Sequence, residues 1–550
     1  MISKSSRKAS IRDVLVLMCG VVLAAAAFAL LHWMHPGITV AHAPAPEWPK
    51  RFVYAAGIVP RGMNPLLDRA GWNEVSSLVV GRLVRPDHQG GIEGDLAEKW
   101  SVSADGRTYD FQLRRNACWH DGQPFTADDV LFTWQKLFDE KTETTLDLNQ
   151  ASLDTFRKTG THSFQFTLKQ PDSGFLAAVT EIGILPAHKL RDADINGDAF
   201  DRIMTGTGPY RLTMAADNRE FTFARHDRYH LGRPAFDELV IRVIADDDER
   251  ARAVADGSVD LGHVKPPHVS MLRDAGRRVY RMRTGAWRGM PLNLNRPALA
   301  DKRVRQAIDL AIDRQELVHG ALQGYGQASY SPIPPASWAF RPEMNRARFD
   351  RFEAKRLLVL AGWPEAKAFS LHLPEGINFR VKDGATLELN LIIWKDEFFR
   401  RTAGELIKKQ LAEVGIRVNL HLVDGTTYNR LAENMGTEYD GFIGGWGGLL
   451  DPGDNLYKKY HSRGSQNRNG YSNPRVDNLL EEARRTSDRE KAVALYRQIV
   501  AAVNVDAVFL PLAYPEYLFA SRADLQGIED YTLDSWYEFT KFAVEWKPKL

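Results

Sequence analysis

The side chains best suited to specific work stand in one run, Tyr439-Asp440-Gly441-Phe442-Ile443-Gly444-Gly445-Trp446-Gly447-Gly448-Leu449-Leu450-Asp451-Pro452. A short apolar stretch ends in glycines around one indole, and an Asp-Pro turn follows. That is the pattern of a buried strand opening into a loop where backbone and a flat aromatic face meet a ligand. The chemistry on offer is recognition rather than bond-making. His-Glu-x-x-His, Gly-x-Ser-x-Gly and phosphate-loop patterns are all missing from the sequence, and the glycines from Gly444 to Gly448 lack a following Lys-Ser/Thr. No catalytic residue is therefore nominated. His226 and His230 stand four apart and on a helix would share a face suited to a metal. Gly232 and Pro234 follow, so the segment reads as strand and turn, and no metal or other cofactor is expected. Cys118, between apolar and aromatic neighbours, reads as a small core residue.

The elements that must position this loop belong to a long chain. At 550 residues it exceeds the size at which one core keeps growing, so two or more lobes are expected. Lys4, Arg7, Lys8 and Arg12 precede an uncharged run over 14–31, and Ala41-His42-Ala43 follows, the order of regions in a secretory signal. Export follows from that reading. An uncleaved membrane anchor over the same run is the alternative, since Pro44 sits badly for cleavage after Ala43. Without residues 1–43 the chain keeps 68 basic and 69 acidic side chains and one cysteine. Such a balance argues against nucleic-acid binding, and a single cysteine rules out an intrachain disulfide.

Strand-like runs at 51–56, 238–244, 387–394 and 416–422 alternate with helical patterns at 73–83, 304–318 and 399–414, which predicts a mixed α/β class. The block from Asp95 to Val130 predicts a strand pair turning at Asp105-Gly106, a second turn at Asp121-Gly122, and a helix capped by Thr126 with Asp128 and Asp129 in its first turn.

Three stretches of that block, Leu96-Ala97-Glu98-Lys99-Trp100, Asp105-Gly106-Arg107-Thr108-Tyr109-Asp110-Phe111-Gln112-Leu113-Arg114 and His120-Asp121-Gly122-Gln123-Pro124-Phe125-Thr126-Ala127-Asp128-Asp129-Val130, carry a resemblance. So do Gly206-Thr207-Gly208-Pro209-Tyr210, Asp301-Lys302-Arg303-Val304-Arg305 and Asn473-Pro474-Arg475-Val476-Asp477. In this order they resemble the family 5 solute-binding proteins of ABC importers, which include oligopeptide-, dipeptide- and nickel-binding members. The resemblance implies a two-lobed periplasmic-binding-protein fold, class II-like and of cluster C, with an extra inserted domain. It implies a first lobe over 44–75, 187–285 and 509–550, an inserted domain over 76–186, and a second lobe over 286–508. The implied function is capture of a peptide or peptide-like solute, delivered to inner-membrane permease subunits by a periplasmic monomer. An exported hydrolase and a membrane-tethered sensor or chaperone are the alternatives.

Candidate ligand-binding residues are Trp446, Gly445, Gly447, Leu449 and Asp451 in the loop. Asn293 and Asn295, on a short strand entering the second lobe, and Trp72 and Asn73 in the first-lobe wall complete the set. Peptide-binding members resemble Gly-Trp-x-x-Asp, and this chain has Leu449 where that carboxylate would stand. Nickel-binding members resemble Trp-Gly-x-x-x-Asp-Pro-His, and Gly453 replaces the histidine. A leucine cannot offset the cost of burying an ammonium, and without the imidazole a nickel role loses its main support.

Overall fold

Two β-sheets carry the architecture, and two strands run from one into the other. The computed structural model describes residues 51–548 apart from 59–61, 68–73, 145, 147–151, 218, 366–378, 448–451, 487, 523–524, 529–530 and 534–535. The leader and the candidates Trp72, Asn73, Leu449 and Asp451 lie outside the described residues. Among those described, no helix is long and apolar enough to cross a membrane.

The larger sheet has eight strands, in the order Thr532–Leu533, Arg278–Thr284, Tyr517–Ser521, Leu261–Val264, Arg51–Ala56, Glu238–Val243, Glu220–Arg225, Tyr210–Ala216. Arg51–Ala56 forms with the bounds its sequence predicts and pairs in parallel with both neighbours. Such central parallel strands are covered on both faces, so Phe52, Tyr54, Ala55 and Ala56 are all buried. Its core continues without a break into a four-stranded antiparallel sheet built from 97–168, where Phe111, Phe164 and Phe166 pack with Trp134. The helix Ala127–Leu137 begins as predicted. Thr126 Oγ1 accepts from the Asp128 amide at 3.3 Å, and Asp129 accepts from the Thr126 amide at 3.0 Å. Gly106 and Gly122 take φ of 70° and 87°, the left-handed region each Asp-Gly turn needs.

The second sheet runs Gly326–Ala328, Phe509–Pro515, Trp287–Pro291, Gly444–Trp446. A three-stranded parallel sheet, Arg417–Val423, Glu388–Trp394, Gly441–Phe442, stands beside it. The chain passes from the large sheet to the second between Thr284 and Trp287, and returns at Glu516 between Phe509–Pro515 and Tyr517–Ser521. At the crossing Arg281 donates to both Glu516 oxygens, at 2.6 and 2.9 Å. Two adjacent crossings of a few residues each are what a hinge between lobes requires.

Two predicted helices differ. The pattern at 73–83 yields a helix only over Ser76–Val79; beyond it the chain is extended, with Arg82 bridging Gly183 and Val84–Pro86 pairing Ile92–Gly94. The pattern at 304–318 gives two helices, Lys302–Ala311 and Arg314–Ala321. Asp313 Oδ1 accepts from the Gln315 and Glu316 amides and so starts a new helix where the periodicity predicted one.

Candidate functional site

Gly444–Trp446 is the edge strand of the second sheet. Among the described residues it pairs on one side only, Trp287 opposite Trp446, Arg288 opposite Gly445, Gly289 opposite Gly444. Its glycines answer to their neighbours' bulk. A Cβ on Gly444 would strike the Trp446 indole, one on Gly445 the Arg288 guanidinium, and one on Gly441 the Pro291 carbonyl. The half-buried Trp446 ring is held by Trp287 at 5.1 Å and by Phe509 at 4.6 Å in an edge-on arrangement. Lys459, 3% exposed, places its ammonium 5.9 Å from both indole centroids and donates to Asn455 Oδ1 at 2.6 Å. Asn455 in turn donates to the Gly447 carbonyl, which is thereby committed to the scaffold.

A cavity of about 330 Å³ opens against this strand, lined among others by Arg400, Tyr428, Gly444, Gly445, Trp446, Gln466, Arg468 and Asn469. Its size and its mixture of aromatic faces and polar groups are those of a small-solute site. Tyr428 donates to the Ile443 carbonyl at 2.7 Å, and burial pushes its hydroxyl up to about 12. Arg400 lies in the first turn of the helix Phe398–Ala412, with its guanidinium 4.5 Å from the Tyr428 ring and 5.1 Å from that of Trp394. Its Nε stands 3.7 Å from Glu397, and neither Nε nor Nη1 has a hydrogen-bond acceptor among the described residues. Asn469, 3% exposed, donates from Nδ2 to the Val508 carbonyl at 3.0 Å, which fixes the amide and leaves Oδ1 without a donor among the described residues.

The remaining sequence candidates divide. Trp446 and Gly445 line the cavity; Gly447 stands beside it. Asn293 and Asn295 are not on a strand: Trp287–Pro291 ends first, and Asn293 Oδ1 accepts the Asn295 amide in a turn. The Asn293 amide nitrogen donates to the carbonyls of Gly436 and Tyr439 at 2.9 and 3.0 Å, so the 1% exposed side chain braces the turn. Asn295 is exposed and lies against Gly470. Asp301 caps the helix Lys302–Ala311 and pairs with Arg303.

His226 and His230 do not share a helix. His226 faces the Gly208 carbonyl and Cys118, while His230 meets Asp95 at 2.7 Å. Burial alone would raise Asp95, but His230, Arg85 and the Arg82 amide hold it below its ordinary value. Among the described residues no three His, Cys, Asp or Glu side chains gather as a metal site.

Among the residues that line the cavity, sequence reasoning missed Arg400, Gln466, Arg468 and Asn469. They sit on ordinary amphipathic helix and polar turn, where nothing local marks them.

A family model described as bacterial extracellular solute-binding proteins, family 5 Middle, matches residues 91–467. Protein XP55 of Streptomyces lividans is 31% identical over 436 residues, 78% of this chain and 77% of that protein. The oligopeptide-binding protein AppA of Bacillus subtilis is 25% identical over 485 residues, 85% of this chain and 87% of that protein. NikZ from Campylobacter jejuni, solved in complex with Ni(L-His), superposes with a TM-score of 0.79 at 26% identity, covering 91% of this chain and all of that one.

Proposed function

This chain belongs to the bacterial extracellular solute-binding proteins of family 5, and from that membership we propose that it captures a peptide or peptide-like solute between its two lobes for an ABC importer. The family is one of binding proteins. The observation that carries the peptide reading is the edge strand Gly444–Trp446: its outer side has no strand partner among the described residues, and the cavity opens against it. An extended peptide satisfies such an edge with its own backbone, while side-chain pockets and the Trp446 face choose among peptides. AppA of Bacillus subtilis, an oligopeptide-binding protein, supports the same reading.

The finer parts belong to the proposal too. Export to the periplasm rests on the leader at 1–43, and delivery to permease subunits and a monomeric state rest on the family. The first lobe is 44–75 with 187–285, residues 76–186 are an inserted domain, and the second lobe begins at 286. The strand Phe509–Pro515 pairs with Trp287–Pro291, so the second lobe is better extended to 515 and the return to the first lobe placed at Glu516.

Binding to the native state alone raises the melting temperature. Purified protein is expected to melt higher with mixed di- to pentapeptides than with neutral oligosaccharides or chelated nickel. A rise confined to either of the latter would overturn the peptide reading.

A further inference from the structure

We propose that the loop 171–174 and the end of the helix Pro474–Arg485 form a latch that holds the lobes closed, so that Asp172 and Arg484 act as positioning residues for a solute held at the cavity. The inference rests on the solute-binding reading and gives the segment 76–186 a part in it.

The loop is built into the body of the large sheet. It follows the strand Ser163–Leu168, and Tyr109, Phe166 and Phe175 beside it pack into the core shared with the eight-stranded sheet. The helix belongs to the other body: its Val476, Leu480 and Ala483 are buried in the core that holds Trp287 and Phe509. Two bonds cross from one to the other. The Ser173 amide donates to the Arg484 carbonyl at 2.9 Å, and Arg484 Nη2 donates to Asp172 Oδ2 at 3.1 Å.

Each bond meets a need that its own body leaves open. Arg484 lies in the last turn of its helix, where carbonyls have no intrahelical donor, and the Ser173 amide supplies one from outside. The side chains of Asp172 and Arg484 are only 8% and 16% exposed, so removing one charge leaves the other in a poorly solvated seam. When the lobes part, both regain water, which makes the contact reversible. Asp172 is aimed in advance: its Oδ1 accepts from the Gly174 amide at 3.0 Å, and the Tyr109 hydroxyl donates to its backbone carbonyl at 3.4 Å.

Arg484 also ties the latch to the cavity. Its guanidinium stands 4.5 Å from the ring of Tyr457, on the helix Pro452–Tyr460. The same helix carries Asn455, which donates to the Gly447 carbonyl, and Lys459, whose ammonium lies 5.9 Å from the Trp446 ring. A solute against Trp446 and the loop against Arg484 therefore bear on one helix. A contact made only in the closed form shifts the population towards it, and an enclosed solute then leaves more slowly.

Full-length protein, Asp172→Asn, Arg484→Gln and the double variant are to be titrated with the di- to pentapeptide mixture. Melting temperature reports apparent affinity, and small-angle scattering reports the radius of gyration with and without peptide. Each single variant is expected to bind about tenfold more weakly, as loss of one charge-assisted hydrogen bond implies. The double variant should do no worse than the singles, because the interaction lost is the same one. Unliganded melting points should hold, and the unliganded variants should scatter as more open particles than the wild type. Undiminished affinity in variants of a protein that peptides stabilise overturns the latch and leaves the peptide reading standing. Losses that add in the double variant, or that accompany an equally lowered unliganded melting point, assign the two residues to local packing and overturn it as well. If peptides do not stabilise the wild type, the peptide reading falls and scattering decides the latch: more open unliganded variants support it, unchanged ones overturn it.

Discussion

Two arginine sites at the second sheet show how differently a buried guanidinium can be treated. Arg314, fully buried, donates to the Pro511 carbonyl at 2.6 Å, to the Asp309 carbonyl at 3.0 Å and to the Asp309 carboxylate, which also accepts from Arg348 at 3.0 Å. Burial lowers its pKa and Asp309 opposes the change. Arg288, on the strand Trp287–Pro291, makes no ion pair among the described residues, and its Nε has no acceptor among them. Where charge serves the scaffold its partners are all supplied within the chain.

The comparison is broken most directly at Asp309. Asp309→Ala removes the acid shared by Arg314 and Arg348 and strands a buried charge, which costs about 3–5 kcal/mol. Urea unfolding is expected to show that loss in the unliganded protein; a loss under ~1 kcal/mol would mean that the pairing is not what makes Arg314 tolerable.

Glu74 stands between the two extremes. Its Oε1 accepts from the Tyr54 hydroxyl at 2.5 Å, while Oε2 makes no hydrogen bond of normal geometry, although the amides of Gly57 and Ile58 favour its ionised form. Burial raises the carboxyl from 4.5 to about 8, against Tyr54 and Arg250. The folded protein therefore holds a proton that the unfolded chain has released. The stability this contributes is fully present below the ordinary carboxylate range and is lost as pH rises through 4.5 towards 8. The loss across that window is on the order of 5 kcal/mol. Glu74→Gln cannot ionise and is expected to flatten the fall in urea midpoint between pH 5 and 8; an unchanged slope would assign that dependence elsewhere.

Trp446→Ala tests the wall rather than a charge. The half-buried indole packs on Trp287 and Phe509 and forms part of the cavity, so its loss is expected to cost ~1–2 kcal/mol of unliganded stability. Peptide affinity should fall by tenfold or more, read by calorimetry. A variant that binds as before would leave the indole a packing role only.

What the sequence could disclose follows from how local each signal is. Arg51–Ala56 and the Thr126 cap were legible because a run of apolar residues and an N-cap act within a few positions. Trp446 was legible because its glycines must make room for it. The break at Asp313 was misjudged because an N-cap inside a continuous amphipathic pattern competes with that pattern, and periodicity favours the longer helix. The charged side of the cavity was not legible. Positions 400, 466, 468 and 469 reach one cavity only through the tertiary fold, and each alone resembles an ordinary surface or turn residue.

Arg288 is where the smallest change in stability carries the most information. Replacing it with Met keeps a similar length of apolar stem and removes a partly desolvated cation that makes no ion pair among the described residues. Exchanging a paired buried charge for an apolar side chain is often neutral or stabilising; an unpaired one gives up even less. Arg288→Met is therefore expected to shift unliganded stability by no more than ~0.5 kcal/mol, in either direction, while Asp309→Ala costs several. A destabilisation of ~3 kcal/mol would place Arg288 with Arg314, among groups the fold needs. A neutral or raised urea midpoint would mean that the fold does not depend on this cation as it depends on the Asp309 pairing.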